Sequence, residues 1–80
     1  MVVRQVAAGY GHSMVLTSEG GVLTWGDGDN GKLGHGNTDH QLVPKRVEDL
    51  TNVTYIAAGG EHSMVVANGG GVYTWGRNNQ

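Results

Sequence analysis

The sequence contains no cysteine, no phenylalanine and only one proline among its 80 residues. The absence of cysteine excludes disulfides and thiolate metal centres, which often stabilise domains of this size. A chain this short forms at most one small domain, and such a domain buries only a modest fraction of its surface. We therefore expect additional burial either from a longer parent chain or from association between copies.

Basic residues and long apolar runs are also scarce. The only adjacent basic pair, Lys45-Arg46, is followed by Glu48 and Asp49, and the net charge is -2. This distribution does not predict a nucleic-acid surface, which requires clustered basic side chains. No apolar run approaches the ~20 residues that span a bilayer, and the N-terminus lacks the apolar core of a signal peptide. We expect no membrane association and a cytoplasmic or nuclear location.

The sequence repeats itself with an offset of 50 residues. When residues 2–30 are aligned with residues 52–80, 14 of the 29 positions are identical and no gap is needed. We therefore divide the chain into a first repeat, residues 1–50, and a second, truncated repeat, residues 51–80. A repeat of this length is typical of propellers, solenoids and arrays.

The composition of each repeat predicts short strands. The chain has 15 glycines, which suit tight turns better than helices, where an interior glycine costs about 0.5–1 kcal/mol relative to alanine. Strand-like segments occur in the first repeat at residues 2–9, 12–17, 21–26 and 43–50. The last is the weakest, and its proline suits a strand start or an edge.

These segments predict an all-β fold of propeller blades, about one and a half four-stranded antiparallel repeat units of period 50. In the second segment of the first repeat, His12, Met14 and Leu16 share one strand face, because successive side chains alternate between faces. A small β-sandwich is the alternative fold, and the regular repeat favours the propeller.

The stretch GDGDNGKLGHG at residues 26–36 partly matches two phosphate-binding patterns, G-x-G-x-x-G and G-x-x-x-x-G-K. Both patterns require a helix after the loop, and the second also requires a Ser or Thr where this chain has Leu33. The glycines that follow Leu33 would break such a helix, and the second repeat has Asn78 in place of Gly28. We expect no nucleotide, metal or other cofactor.

Two recurring motifs and a third that occurs once follow each other in an order that is specific to one family. They are a G-x-x-H-S turn (residues 9–13 and 59–63), a G-G-V-x-T-W-G hairpin (20–26 and 70–76) and a G-K-L-G-H-G segment (31–36). Together with Pro44, they resemble the repeats of the regulator of chromosome condensation family, with Lys32 at the usual Gln. The resemblance implies a seven-bladed propeller. We expect this chain to be a fragment of a longer propeller, and a self-assembling or designed repeat protein is the alternative.

The resemblance also implies a scaffold that binds protein partners, and no catalytic centre is evident in the sequence. One family member is the exchange factor for the small GTPase Ran, so guanine-nucleotide exchange through the parent propeller is the alternative function; the fold by itself does not choose between them. In this family, partner contacts often lie in the turn before the repeated histidine, which corresponds here to Tyr10, Gly11, Gly60 and Glu61. Asp27 and Arg77 are further candidates, because each follows a W-G hairpin.

One histidine and one tryptophan occur at equivalent positions of both repeats, and we predict that all four residues are structural: His12, His62, Trp25 and Trp75. We expect each histidine to hydrogen-bond a neighbouring backbone group, since a metal site needs several convergent ligands. We expect the tryptophans to pack between blades, where an aromatic ring buries ~150–250 Å². Ser13 and Ser63 directly follow the histidines, so within one motif the two side chains point to opposite faces. His35 and His40 are predicted to be surface-loop residues.

Overall fold

The computed structural model describes residues 2–28, 33–48, 50–67 and 70–76, and within these ranges it has seven β-strands in two antiparallel sheets. The first sheet contains, in spatial order, β1 (Val3–Ala8), β2 (His12–Thr17), β3 (Val22–Gly26) and β4 (Gln41–Arg46). The second contains β5 (Val53–Ala58), β6 (His62–Ala67) and β7 (Gly71–Gly76). The predicted all-β architecture is confirmed. None of the described residues forms a helix, so no membrane-spanning helix is found among them.

Strand β4 differs from its prediction. It begins at Gln41, two residues before the predicted start, and ends at Arg46, so Pro44 lies inside the strand. The strand is at the edge of its sheet, and the β3–β4 register shifts between Thr24 and Gly26. An irregular edge strand tolerates proline because its outer N–H groups have no ladder partner to lose.

The two sheets are copies of one blade. Their residue pairings are equivalent, as the pair Ala7↔Met14 in the first sheet and the pair Ala57↔Met64 in the second illustrate. The same irregularity interrupts the β1–β2 and β5–β6 ladders near the start of their first strands. Similar local sequence has therefore produced the same three-strand meander twice.

The hydrophobic core lies between the two sheets, where β5 packs against β1 and β2. The first sheet buries the face of β2 that carries Met14 and Leu16, whereas the second buries the opposite face of β6, which carries Val65 and Ala67. The core residues, each at most 3% exposed, are Met14, Leu16, Val22, Val47, Val53, Ile56, Val65 and Ala67. Burial of so many apolar side chains at one interface makes the contact between blades the main source of stability.

An amide side chain aligns the first sheet with the second. Gln5 donates from Nε2 to the carbonyl of Ile56 at 2.9 Å and accepts at Oε1 from the N–H of Ile56 at 3.0 Å. Farther along, the N–H of Val53 donates to the carbonyl of Gly20 at 3.0 Å. The paired donor and acceptor of Gln5 fit one relative position of the sheets, and this position also brings together the turns at the opposite end.

Candidate partner-binding surface

The turns that precede the two repeated histidines lie side by side. The N–H of Tyr10 donates to the carbonyl of Gly60 at 3.2 Å, which joins the turn of the first repeat to that of the second. Gly11 follows with a φ of 81°, a conformation that glycine adopts readily. The side chain of Tyr10 is 75% exposed. Two turns from different blades therefore form one surface with an aromatic ring in solvent.

Asp27 reaches this surface from the end of β3. Its N–H donates to the carbonyl of Gly11 at 2.8 Å, and a Cβ at Gly11 would lie 3.3 Å from the Cβ of Asp27. In the second repeat, a Cβ at Gly76 would collide with the carbonyl oxygen of Glu61, as one at Gly26 would with that of Gly11. Arg77, the repeat equivalent of Asp27, lies outside the described residues. We define the turn surface as Tyr10, Gly11, Asp27, Gly60 and Glu61.

His40 contacts the turn surface through Asp27, although the sequence provides no signal for this proximity. Its Nδ1 accepts a hydrogen bond from the N–H of Gly28 at 3.0 Å and lies 3.2 Å from Oδ1 of Asp27. Among the described residues, no group of three or more His, Asp or Glu side chains could hold a metal ion.

The two repeated histidines have different surroundings. His12 is 3% exposed, and its Nε2 lies 3.0 Å from Oγ of the fully buried Ser63, whereas His62 is exposed. The hydrogen bond of His12 thus reaches a side chain of the next repeat. A bond from its ring to a neighbouring backbone group stays a prediction. A histidine beside a serine resembles part of a hydrolytic site, but this pair is buried between the sheets.

Trp75 is partly buried against the core, and Trp25 is half-buried at the equivalent place of the first sheet. Gly34, with a φ of 80°, lies against the ring of Trp75, so that a Cβ there would be 2.6 Å from Cε2 of the indole. The described end of the segment that matched a phosphate-binding pattern is therefore a packing element. It joins the first repeat to the tryptophan of the second.

His35 lies in a loop, as the sequence predicts, but it is half-buried beside Thr24 and not fully at the surface. Oγ1 of Thr24 donates to the carbonyl of Leu33 at 2.7 Å, so it accepts a hydrogen bond from Nε2 of His35 at 2.9 Å. Burial, and then the positive charge of Lys45, lower the pKa of His35 below its ordinary value. The neutral ring with a proton on Nε2 is thus the form that the fold favours.

We expect acidification to destabilise the fold in part through His35. A histidine with a lower pKa in the folded state binds fewer protons when folded, so the free energy of unfolding decreases as pH falls through its ordinary pKa of 6.5. Urea unfolding of the wild type should therefore show a lower midpoint in mildly acidic than in neutral buffer. His35→Gln should reduce this difference, and His62→Gln, at an exposed site, should retain it. An unchanged difference in His35→Gln would contradict the assignment.

Stacked antiparallel sheets of a 50-residue repeat, with their turns gathered at one end, define a repeat protein built of propeller blades. A family model of the regulator of chromosome condensation (RCC1) repeat matches residues 19–66, and a second model of this repeat matches residues 3–32 and 53–80. The chain belongs to the regulator of chromosome condensation (RCC1) repeat family. The resemblance inferred from the motifs is confirmed.

The chain is similar to short portions of larger proteins. It is 50% identical to the human E3 ubiquitin-protein ligase HERC2 over 48 residues, which is 60% of this chain and 1% of HERC2. The crystal structure of human WBSCR16 superposes with a TM-score of 0.85 and 32% identity, over 94% of this chain and 20% of that chain. Prp20p of Saccharomyces cerevisiae, studied for its binding to Gsp1p and histones, superposes with a TM-score of 0.78 and 30% identity, over 94% of this chain and 18% of Prp20p.

Proposed function

We propose that this chain binds a protein partner through the turn surface and acts as a scaffold without catalytic activity of its own. The observation that carries the proposal is the hydrogen bond between Tyr10 and Gly60, which holds turns of two blades together beneath an exposed aromatic ring. An aromatic side chain with a polar rim is a common anchor in protein interfaces. Membership of the RCC1 repeat family supports a binding role.

The chemistry of the turn surface favours a partner with basic side chains. Asp27 and Glu61 contribute carboxylates to the turns, and complementary charges accelerate the encounter of two proteins. Gly60 is exposed, and a Cβ built there meets nothing within 4 Å. A partner's main chain can therefore come close to the backbone beside the ring of Tyr10.

Guanine-nucleotide exchange on a small GTPase is the second candidate function. The similarity to Prp20p, with its described binding to Gsp1p, supports it. Because this chain covers 18% of Prp20p, we assign any exchange activity to a complete propeller that contains these repeats. A cytoplasmic or nuclear location, as expected from the sequence, fits both candidates.

Binding of the chain to purified Gsp1p and to purified core histones, measured by biolayer interferometry, tests the scaffold proposal. We expect Tyr10→Ala to weaken binding about thirtyfold or more, since truncation of an aromatic anchor typically costs about 2 kcal/mol or more. Glu61→Gln should mainly slow association, because it removes a charge that attracts a basic partner.

Val43→Ala is the matched control, because Val43 is 66% exposed on the edge strand β4 and lies outside the turn surface. It should bind like the wild type. Binding that survives both Tyr10→Ala and Glu61→Gln would locate the contact elsewhere. Nucleotide release from Gsp1p that the chain does not accelerate would remove exchange activity for this chain and leave the scaffold proposal intact.

A further inference from the structure

The outer face of the first sheet exposes residues whose repeat equivalents are core residues. Val3 and Val6 are 49% and 68% exposed, whereas their equivalents Val53 and Ile56 are 2% and 1% exposed. Val6 pairs with Val15 across the β1–β2 ladder, so both lie on this outer face. We define the head face as Val3, Val6, Ser13 and Val15.

The outer face of the second sheet shows the converse pattern. Val72 is 59% exposed and His62 is exposed, whereas their equivalents Val22 and His12 are 0% and 3% exposed. Val66 pairs with both Tyr55 and Val72, so these side chains share one face. We define the tail face as Tyr55, His62, Met64, Val66 and Val72.

The head and tail faces carry the same residue types that contact each other at the interface between the two sheets. In that internal interface, Nε2 of His12 lies 3.0 Å from Oγ of Ser63. The tail face offers His62 and the head face offers Ser13, which are the same residue types at the equivalent strand positions. Met64 likewise repeats Met14, and Val15 repeats Val65.

We propose that a second copy of this chain docks its head face on the tail face of the first and repeats the internal interface, with His62 of one copy beside Ser13 of the next. Such a contact joins two different surfaces, so it leaves one head face and one tail face free and can continue into a ring or a filament. The contact is made by strand faces, and at its end the turns of the two copies meet as Tyr10 and Gly60 meet within one chain.

Several internal contacts have no counterpart between copies, because the second repeat, residues 51–80, contains no equivalent of Val47 in the core or of Gly34 beside Trp75. The side chain of Gln5 hydrogen-bonds both the N–H and the carbonyl of Ile56. The repeat equivalent of Gln5 is Tyr55, which is 51% exposed. A single phenolic hydroxyl does not reproduce the adjacent donor and acceptor of an amide. Association between copies is therefore weaker than the internal interface, and Tyr55 limits it.

Analytical ultracentrifugation of the 80-residue chain over a concentration series tests the proposal. We expect the mass to rise with concentration in the wild type, and we expect Val6→Asp and Val72→Asp each to remain monomeric. Both substituted side chains are more than half exposed, so at low micromolar concentration each variant should keep the wild-type circular dichroism spectrum and melting temperature. A mixture of the two variants should form a 1:1 dimer and nothing larger, because it contains one intact head face and one intact tail face.

Tyr55→Gln should tighten association about tenfold, since the amide adds two hydrogen bonds to the backbone of Val6 in the next copy. Tyr73→Asp is the control, because Tyr73 is 52% exposed on the same strand as Val72 but pairs with Val65 on the opposite face. It should associate like the wild type. A wild type that stays monomeric at roughly millimolar concentration, or oligomers that persist in both Val6→Asp and Val72→Asp, would overturn the proposal.

Discussion

Replacing Ile56 by alanine should lower the free energy of unfolding by about 2–5 kcal/mol, whereas Val6→Ala should change it by less than about 0.5 kcal/mol. The two residues occupy equivalent strand positions, and each pairs with a valine of the neighbouring strand. Ile56 is 1% exposed within the core between the sheets, and Val6 is 68% exposed. A large cost therefore arises only where removed methyl groups leave a cavity.

Urea unfolding of both variants at low micromolar concentration measures this difference, because dilution keeps the head face free. Equal costs at that concentration would contradict the burial of Ile56 between the sheets. A cost of Val6→Ala that grows with protein concentration would instead report coverage of the head face by a second copy, since binding stabilises the folded state by mass action.

Gly9→Ala should lower the free energy of unfolding by at least about 3 kcal/mol, at the upper end of the range for overpacking. A Cβ at this position would collide with the backbone carbonyl of Gly59 in the second sheet and with the ring of His12. The backbone has little freedom to move away, because the N–H of Gly9 donates to the carbonyl of His12 at 2.9 Å. Since small domains are marginally stable, we expect much of the variant to be unfolded at room temperature.

Gly60→Ala is the matched control for Gly9→Ala, and thermal unfolding followed by circular dichroism compares them. A Cβ at Gly60 meets nothing within 4 Å, and the first repeat already carries Tyr10 at the equivalent place. We expect a change within about 0.5 kcal/mol. If both variants lost the same stability, the close contact of Gly9 with the second sheet would be wrong.

Most of the secondary structure could be predicted from local sequence. Strand β2 followed from the alternation that begins at His12, and the first hairpin from the glycines at 20 and 21, where Gly20 adopts a φ of 84°. The start of β4 was wrong by two residues and its end by four, because local sequence signals boundaries weakly, and an edge strand with an irregular register signals them least.

The turn surface could be predicted only in part. The G-x-x-H-S motif and the family resemblance indicated Tyr10 and Gly60, and the structure joins them with a hydrogen bond. Neither pattern indicated that His40 contacts Asp27, or that His35 is held by Thr24, because both contacts bridge residues separated by a loop. Whether these residues bind a partner stays a prediction.

Local sequence specifies which side chains share a strand face, because the alternation of a β-strand is local and occurs twice with nearly the same residues. Which of the two faces is covered depends on packing, since burial requires a second sheet and repeats with the same local pattern have different neighbours. For this reason Ile56 is buried and Val6 exposed, and His12 contacts Ser63 while His62 faces solvent.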